Sequence, residues 1–137
     1  MKYAVKIVQE GDAFLVSARD LPELNSVGYS LEEALSEALE GIETVFMMYM
    51  DDRKMIPLPT DQEDGEYLIH VPVLVASKIY LYNEMLDQKV TKAELARRLG
   101  GIQKNADRLL SLKHGTKIEA VEDAFKALGK ELKIQIA

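Results

Sequence analysis

The stretch Thr91-Lys92-Ala93-Glu94-Leu95-Ala96-Arg97-Arg98-Leu99-Gly100-Gly101-Ile102-Gln103-Lys104-Asn105-Ala106-Asp107-Arg108-Leu109-Leu110-Ser111-Leu112 decides how the second half of this chain is read. Thr91 and Glu94 have the spacing of a capping box, so a helix opens at Lys92 and runs to Leu99. Gly100-Gly101 makes a turn, and a second helix runs from Gln103 to Leu112. Two helices joined so tightly must cross steeply and touch at close range. Ala96 is the small residue that the crossing needs. Gly100, four positions on, tolerates the positive φ that the turn demands. Leu95 and Leu99 on one helix face Ala106, Leu109 and Leu110 on the other, and no proline interrupts either. This is the layout of a helix-turn-helix.

Such a motif puts the N-terminal end of its second helix into the major groove of double-stranded DNA. The side chains offered there are Gln103, Lys104, Asp107 and Arg108. Glutamine pairs with adenine and arginine with guanine through two hydrogen bonds each. Asp107 has two uses open to it: accepting from a cytosine amine, or pairing with Arg108 or Lys104. Lys92, Arg97, Arg98, Lys113 and Lys117 are candidate phosphate contacts. Thr91 and Thr116 sit at helix starts, where amides also meet phosphate. The plainer alternative is a helical bundle with a solvated basic face.

Around this motif the chain stays helical. Val75 to Leu86 reads as one helix. Thr116-Lys117-Ile118-Glu119 is another capping box, whose helix runs to Leu128 and stops at Gly129. His114 is expected to cap or pack near a helix end. Leu132-Lys133-Ile134-Gln135-Ile136 alternates as a strand, with Leu132, Ile134 and Ile136 on its apolar face. An all-helical domain offers it no sheet, and a lone strand needs a partner. The same strand of a second copy, across a twofold axis, would give a homodimer or higher homo-oligomer that reads a palindrome. Packing on an N-terminal sheet is the competing arrangement.

The N-terminal half has a different pattern. Lys2 to Val8 alternates as a strand, Glu10-Gly11-Asp12 turns, and Ala13 to Ala18 is a second strand. Asn25 to Tyr29 is a short third strand, with Gly28 where the backbone bends or packs closely. Ser30 and Glu33 form a capping box. Behind it Leu31, Ala34, Leu35, Ala38, Leu39, Ile42, Val45, Phe46 and Tyr49 make one apolar stripe at helical spacing. Glu32, Glu33, Glu37, Glu40 and Glu43 lie mostly off it. Met47, Met48 and Met50 are expected as core filler. Asp51 to Gly65 is a loop, and Glu66 to Val71 is a fourth strand that Pro72 ends. The expected class is α+β: a βββαβ layer over residues 1–72, then an all-α helix-turn-helix domain over 73–137 with a short terminal strand.

Charge divides at the same place. Residues 1–70 hold 5 Lys/Arg against 15 Asp/Glu, a net −10, and residues 71–137 hold 12 against 8, a net +4. An acidic half joined to a basic half suggests two different partners. The chain has no cysteine, which excludes disulfides and thiolate zinc sites and fits a reducing cytoplasm. His70 and His114 lie too far apart in pattern for a histidine metal site, so no metal or cofactor is expected. No run of about 18 apolar residues is present, so no membrane span is expected, and Met1 to Val5 reads as strand rather than as a signal peptide. No nucleophile constellation or phosphate-cradling glycine loop can be built. The first strand carries no acid of the kind a carboxylate nuclease needs, so no catalytic residue is expected.

The residues also match a family. The match runs through Tyr3-Ala4-Val5, Asp20-Leu21-Pro22, Gly28 and Glu33-Ala34. It continues in Ile56-Pro57-Leu58-Pro59, Val71-Pro72 and Ala76-Ser77-Lys78. It ends in Glu94-Leu95-Ala96-Arg97-Arg98, Thr116-Lys117-Ile118, Ala120-Val121 and Ala127-Leu128-Gly129-Lys130-Glu131-Leu132. In these the chain resembles the HicB antitoxins, in the branch with a helix-turn-helix C-terminus. Arg19 is a departure, since the family usually has proline there. The resemblance implies a partial RNase H-like N-terminal fold without catalytic acids, which binds and blocks a small basic HicA-type mRNA interferase toxin. It also implies a C-terminal domain that represses the operon. Two other readings compete: a stand-alone transcriptional repressor with an N-terminal ligand-sensing domain, and an enzyme that retains RNase H-like chemistry.

Overall fold

Strand β1 (Lys2–Glu10) is the spine of the first half: it pairs over Lys2–Val5 with β4 (Tyr67–His70) and over Lys6–Glu10 with β2 (Ala13–Ser17). Adding β3 (Ser26–Gly28) gives a four-stranded antiparallel sheet in the order β3-β2-β1-β4. The computed structural model describes all of residues 1–137, and by contacts the chain divides into two units, Met1–Val73 and Leu74–Ala137.

Helix α1 (Leu31–Asp51) covers one face of that sheet. Ser30 caps it by accepting from the Glu33 amide at 3.0 Å, as the capping box predicts. Ala34, Ala38, Ile42, Val45 and Phe46 form its buried stripe. The Tyr3 ring stands 5.6 Å from that of Phe46, tilted by 58°, and its hydroxyl donates to the Pro57 carbonyl at 2.6 Å. Strand alternation puts Val5 on the face of Tyr3, and both are fully buried. Gly28 is where β3 meets the first turn of α1: a Cβ there would lie 2.3 Å from the Ala34 amide nitrogen. The close approach expected of Gly28 is therefore the reason for it. The methionines differ from expectation. Met48 is exposed and Met47 and Met50 are half-buried, because the stripe that meets the sheet is filled by the shorter residues and Phe46.

Arg19 organises the connection from α1 to β4. Its guanidinium donates to both Glu66 carboxylate oxygens, at 3.1 and 2.7 Å, to the Asp61 carbonyl at 2.6 Å, and to the Thr60 hydroxyl. Asp20 accepts from the Thr60 amide at 2.8 Å. Hydrogen bonding from Arg19 holds the Glu66 carboxyl below its usual range.

The second unit is helical: α2 (Val73–Gln88), α3 (Lys92–Arg98), α4 (Gln103–Leu109) and α5 (Ile118–Ala127). Its core gathers Leu81 and Met85 of α2, Leu95 and Ala96 of α3, Ala106 and Leu109 of α4, and Val121, Ala124 and Phe125 of α5, with Leu128. Burying a side chain of the Leu, Val or Phe kind contributes about 1.5–3 kcal/mol. Gly129 closes α5 as expected: its amide donates to the Lys126 carbonyl and that of Lys130 to Phe125, with Gly129 at φ 72°.

The α+β order is the one expected, with three local corrections. Helix α4 ends at Leu109 rather than Leu112, because the chain turns there to meet a buried lysine. The third capping box does not form: α5 starts from Lys117 with no side-chain cap. The strand expected over Leu132–Ile136 does not form in the single chain, where the segment joins no sheet. Leu132 packs against the helical core, while Ile134 and Ile136 are 85% and 88% exposed.

Candidate nucleic-acid interface

Helices α3 and α4 carry the candidate interface. Thr91 accepts from the Glu94 amide at 3.1 Å and starts α3. At the crossing Ala96 is 3% exposed and Ala106 fully buried, so the two backbones approach without bulk between them. Between them Gly100 and Gly101 take φ of 108° and 86°, and the Gly101 amide donates to the Ala96 carbonyl at 2.7 Å. Both glycines lie in the left-handed region, where a Cβ is disfavoured.

With Ala106 and Leu109 turned into the core, α4 shows the opposite face to solvent. Gln103, Lys104, Asp107 and Arg108 are all exposed there, as is Asn105, which the sequence reading did not single out. Lys92 is exposed at the first position of α3, and its ammonium lies 3.3 Å from the Asp107 carboxylate. Gln103 donates to the same carboxylate oxygen at 3.4 Å. Asp107 therefore holds Lys92 and Gln103, not Lys104 or Arg108. The preference follows from position: Gln103 is one helical turn away on the same face, and the steep crossing brings Lys92 across.

The segment after α4 supplies Lys113 and Lys117, both exposed. Thr116 departs from its expected place at a helix cap. Its hydroxyl donates to the Arg108 carbonyl at 3.2 Å and pairs with His114 Nδ1 at 3.0 Å. Arg108, His114 and Lys117 line a cleft of about 440 Å³, with Leu99, Asn105 and Asp123 also on its wall. Arg97 and Arg98 are engaged elsewhere. Both donate to Glu94, Arg97 through Nε at 2.8 Å and Arg98 through Nε at 3.0 Å, and Arg98 also reaches the Ala127 carbonyl. These two hydrogen bonds lower the Glu94 pKa to about 2.

Lys78 of α2 holds the far end of α4 in place. The residue is 1% exposed, and its ammonium donates to the carbonyls of Arg108, Ser111 and His114 at 3.0, 2.6 and 2.8 Å. An ammonium has three protons, and here each has an acceptor. The last carbonyls of a helix lack partners within it and carry the negative end of its dipole, so a cation suits the place. Burial holds the Lys78 pKa below its ordinary value. No role was read for Lys78 from the sequence. The signal was there: it lies three and four residues from Val75, Leu81 and Tyr82, on the buried face of α2.

No group of three or more His, Cys, Asp or Glu is placed to hold a metal ion. No helix is long and apolar enough to cross a membrane.

Comparison with known proteins agrees with the resemblance. A family model described as the HicB-like antitoxin of bacterial toxin–antitoxin systems matches residues 2–80. Antitoxin HicB of Escherichia coli (strain K12) is 40% identical over 135 residues, covering 98% of this chain and 98% of that protein. Antitoxin HicB of Pseudomonas fluorescens (strain Pf0-1) is 37% identical over 136 residues, covering 98% and 93%. Antitoxin HicB 2 of Photorhabdus laumondii is 39% identical over 134 residues, covering 98% and 95%. A sheet-and-helix unit followed by a four-helix unit, matched along nearly its whole length by these relatives, makes this chain a member of the HicB antitoxin family.

Proposed function

We propose that this antitoxin acts through two separate surfaces. Residues 1–72 hold and block a HicA-type mRNA interferase toxin, and residues 73–137 repress the operon by binding operator double-stranded DNA. The chain acts by binding, in the cytoplasm, and is not an enzyme.

One observation carries the DNA half. Helix α4 is anchored by Ala106 and Leu109 on its inner side and presents Gln103, Lys104 and Arg108 on its outer side. Lys92, Lys113 and Lys117 flank it and suit phosphate contacts, and the Thr116 hydroxyl holds the Arg108 backbone rather than meeting phosphate itself. Operators read by such helices have two half-sites, which requires two copies of the motif. Leu132, Ile134 and Ile136 supply the contact between copies: Leu132 is seated on the helical core of its own chain, and the exposed Ile134 and Ile136 gain burial and a ladder partner from the twin segment.

The toxin half rests on family membership and on charge. A toxin that grips RNA is basic, and the net −10 of residues 1–70 complements it. The test is co-expression with the small basic reading frame beside its gene. A stable complex that restores growth is expected. Absence of both complex and rescue would overturn the toxin half.

A further inference from the structure

Asp107 lies in the middle of the groove-facing side of α4, where a negative charge is unfavourable near phosphates. The structure gives it two partners on one carboxylate oxygen: Lys92 at 3.3 Å and Gln103 Nε2 at 3.4 Å. Lys92 and Asp107 are each about half exposed, at 47% and 52% for their side chains, so the cluster stands at the surface where a base edge would arrive. Lys92 offsets the charge. Gln103 is the consequential partner, because its amide is the group suited to read a base.

We propose that Asp107 is a positioning residue that fixes the amide of Gln103 for adenine. Glutamine has two amide protons and one carbonyl oxygen. With one proton directed to Asp107, one N–H and the oxygen remain outward. That pair matches adenine, which offers N7 as acceptor and N6 as donor in the major groove. Guanine offers two acceptors, O6 and N7, and needs two donors. A released amide could turn both protons toward guanine; a held one meets it with an oxygen against O6. Asp107 thus reads no base itself and narrows what Gln103 reads. Of the two uses first open to Asp107, the bond to Lys104 or Arg108 gives way to Lys92 and Gln103.

The inference rests on the DNA-binding reading, and the experiment separates the two. A randomised duplex library is selected with the full-length chain, Gln103→Ala, Asp107→Ala and the double variant. Circular dichroism of each confirms the same helix content. Wild type is expected to select a site with adenine at one position where Gln103→Ala selects no base. Asp107→Ala is expected to lower adenine-over-guanine selection at that position by about tenfold, with the rest of the site intact. Loss of a charge near phosphates leaves its overall affinity equal or higher. The double variant should show no loss of selection beyond that of Gln103→Ala. If wild type selected no sequence, the DNA-binding reading would fail and this inference with it. If wild type selected a site and Asp107→Ala kept every base preference, only this inference would be overturned, and Asp107 would be a partner of Lys92 alone.

Discussion

In the first unit the organising cation, Arg19, sits at the surface and ties a loop to Glu66, Thr60 and Asp61; in the second, Lys78 is 1% exposed and grips three carbonyls around the end of α4. Both are single cations with several acceptors, yet their energetics differ. An exposed ion pair is screened by water and is typically worth under about 1 kcal/mol. A buried ammonium is costly to desolvate, and removing it takes three charge-assisted hydrogen bonds from the interior at once. The acidic unit therefore uses this charge at its surface. The basic unit also uses one charge inside, to set the helix that carries its outward-facing side chains.

The largest effect expected from breaking that contrast is at Lys78. Lys78→Met keeps the length of the side chain but removes the charged donor that gathers the carbonyls of Arg108, Ser111 and His114, leaving them only their local donors. It should destabilise the helical unit by about 3 kcal/mol or more in urea denaturation followed by circular dichroism. A loss under about 1 kcal/mol would make the buried contact no stronger than a surface one, and the contrast would dissolve.

Next comes the first unit, whose weak point is packing rather than charge. In Gly28→Ala the new Cβ falls 2.3 Å from backbone at Ala34, so β3 and α1 must separate. A cost of about 1–3 kcal/mol is expected in the same assay. An unchanged midpoint would show that the close approach is freely relaxed.

The smallest effect concerns acid. Glu94 has its pKa lowered from 4.5 to about 2 by Arg97 and Arg98. The folded state then binds this proton less readily than the unfolded chain. The stabilisation is fully present above about pH 4.5 and is lost as pH falls toward 2. Glu94→Gln should show a flatter acid dependence of stability in that window, and equal slopes for the two proteins would contradict the arrangement. The pair is exposed, so the difference is small.

Much of this was legible in the chain because it is local. Ser30 with Glu33, Thr91 with Glu94, Ala96 with Gly100, and the Gly129 stop all depend on neighbours within a turn, and each formed as read. What was not legible depends on distance. Lys78 meets its acceptors 30 to 36 residues away, and Lys92 reaches Asp107 only because α3 and α4 cross. The Thr116 box had the right letters, but the turn that carries three carbonyls to Lys78 also brings the Thr116 hydroxyl onto the carbonyl of Arg108. The terminal strand failed for a related reason: alternation shows which face is apolar, and a strand exists only once it pairs with another, which this segment does not do in the single chain.

The central claim is that α4 reads DNA, and its most direct test is binding of the full-length chain to the DNA upstream of its own operon. The account predicts a discrete site whose affinity falls steeply with salt. It also predicts that Arg108→Ala weakens binding there by about 1–3 kcal/mol and relaxes base preference at one position. Equal binding by wild type and Arg108→Ala to every sequence tried would contradict it.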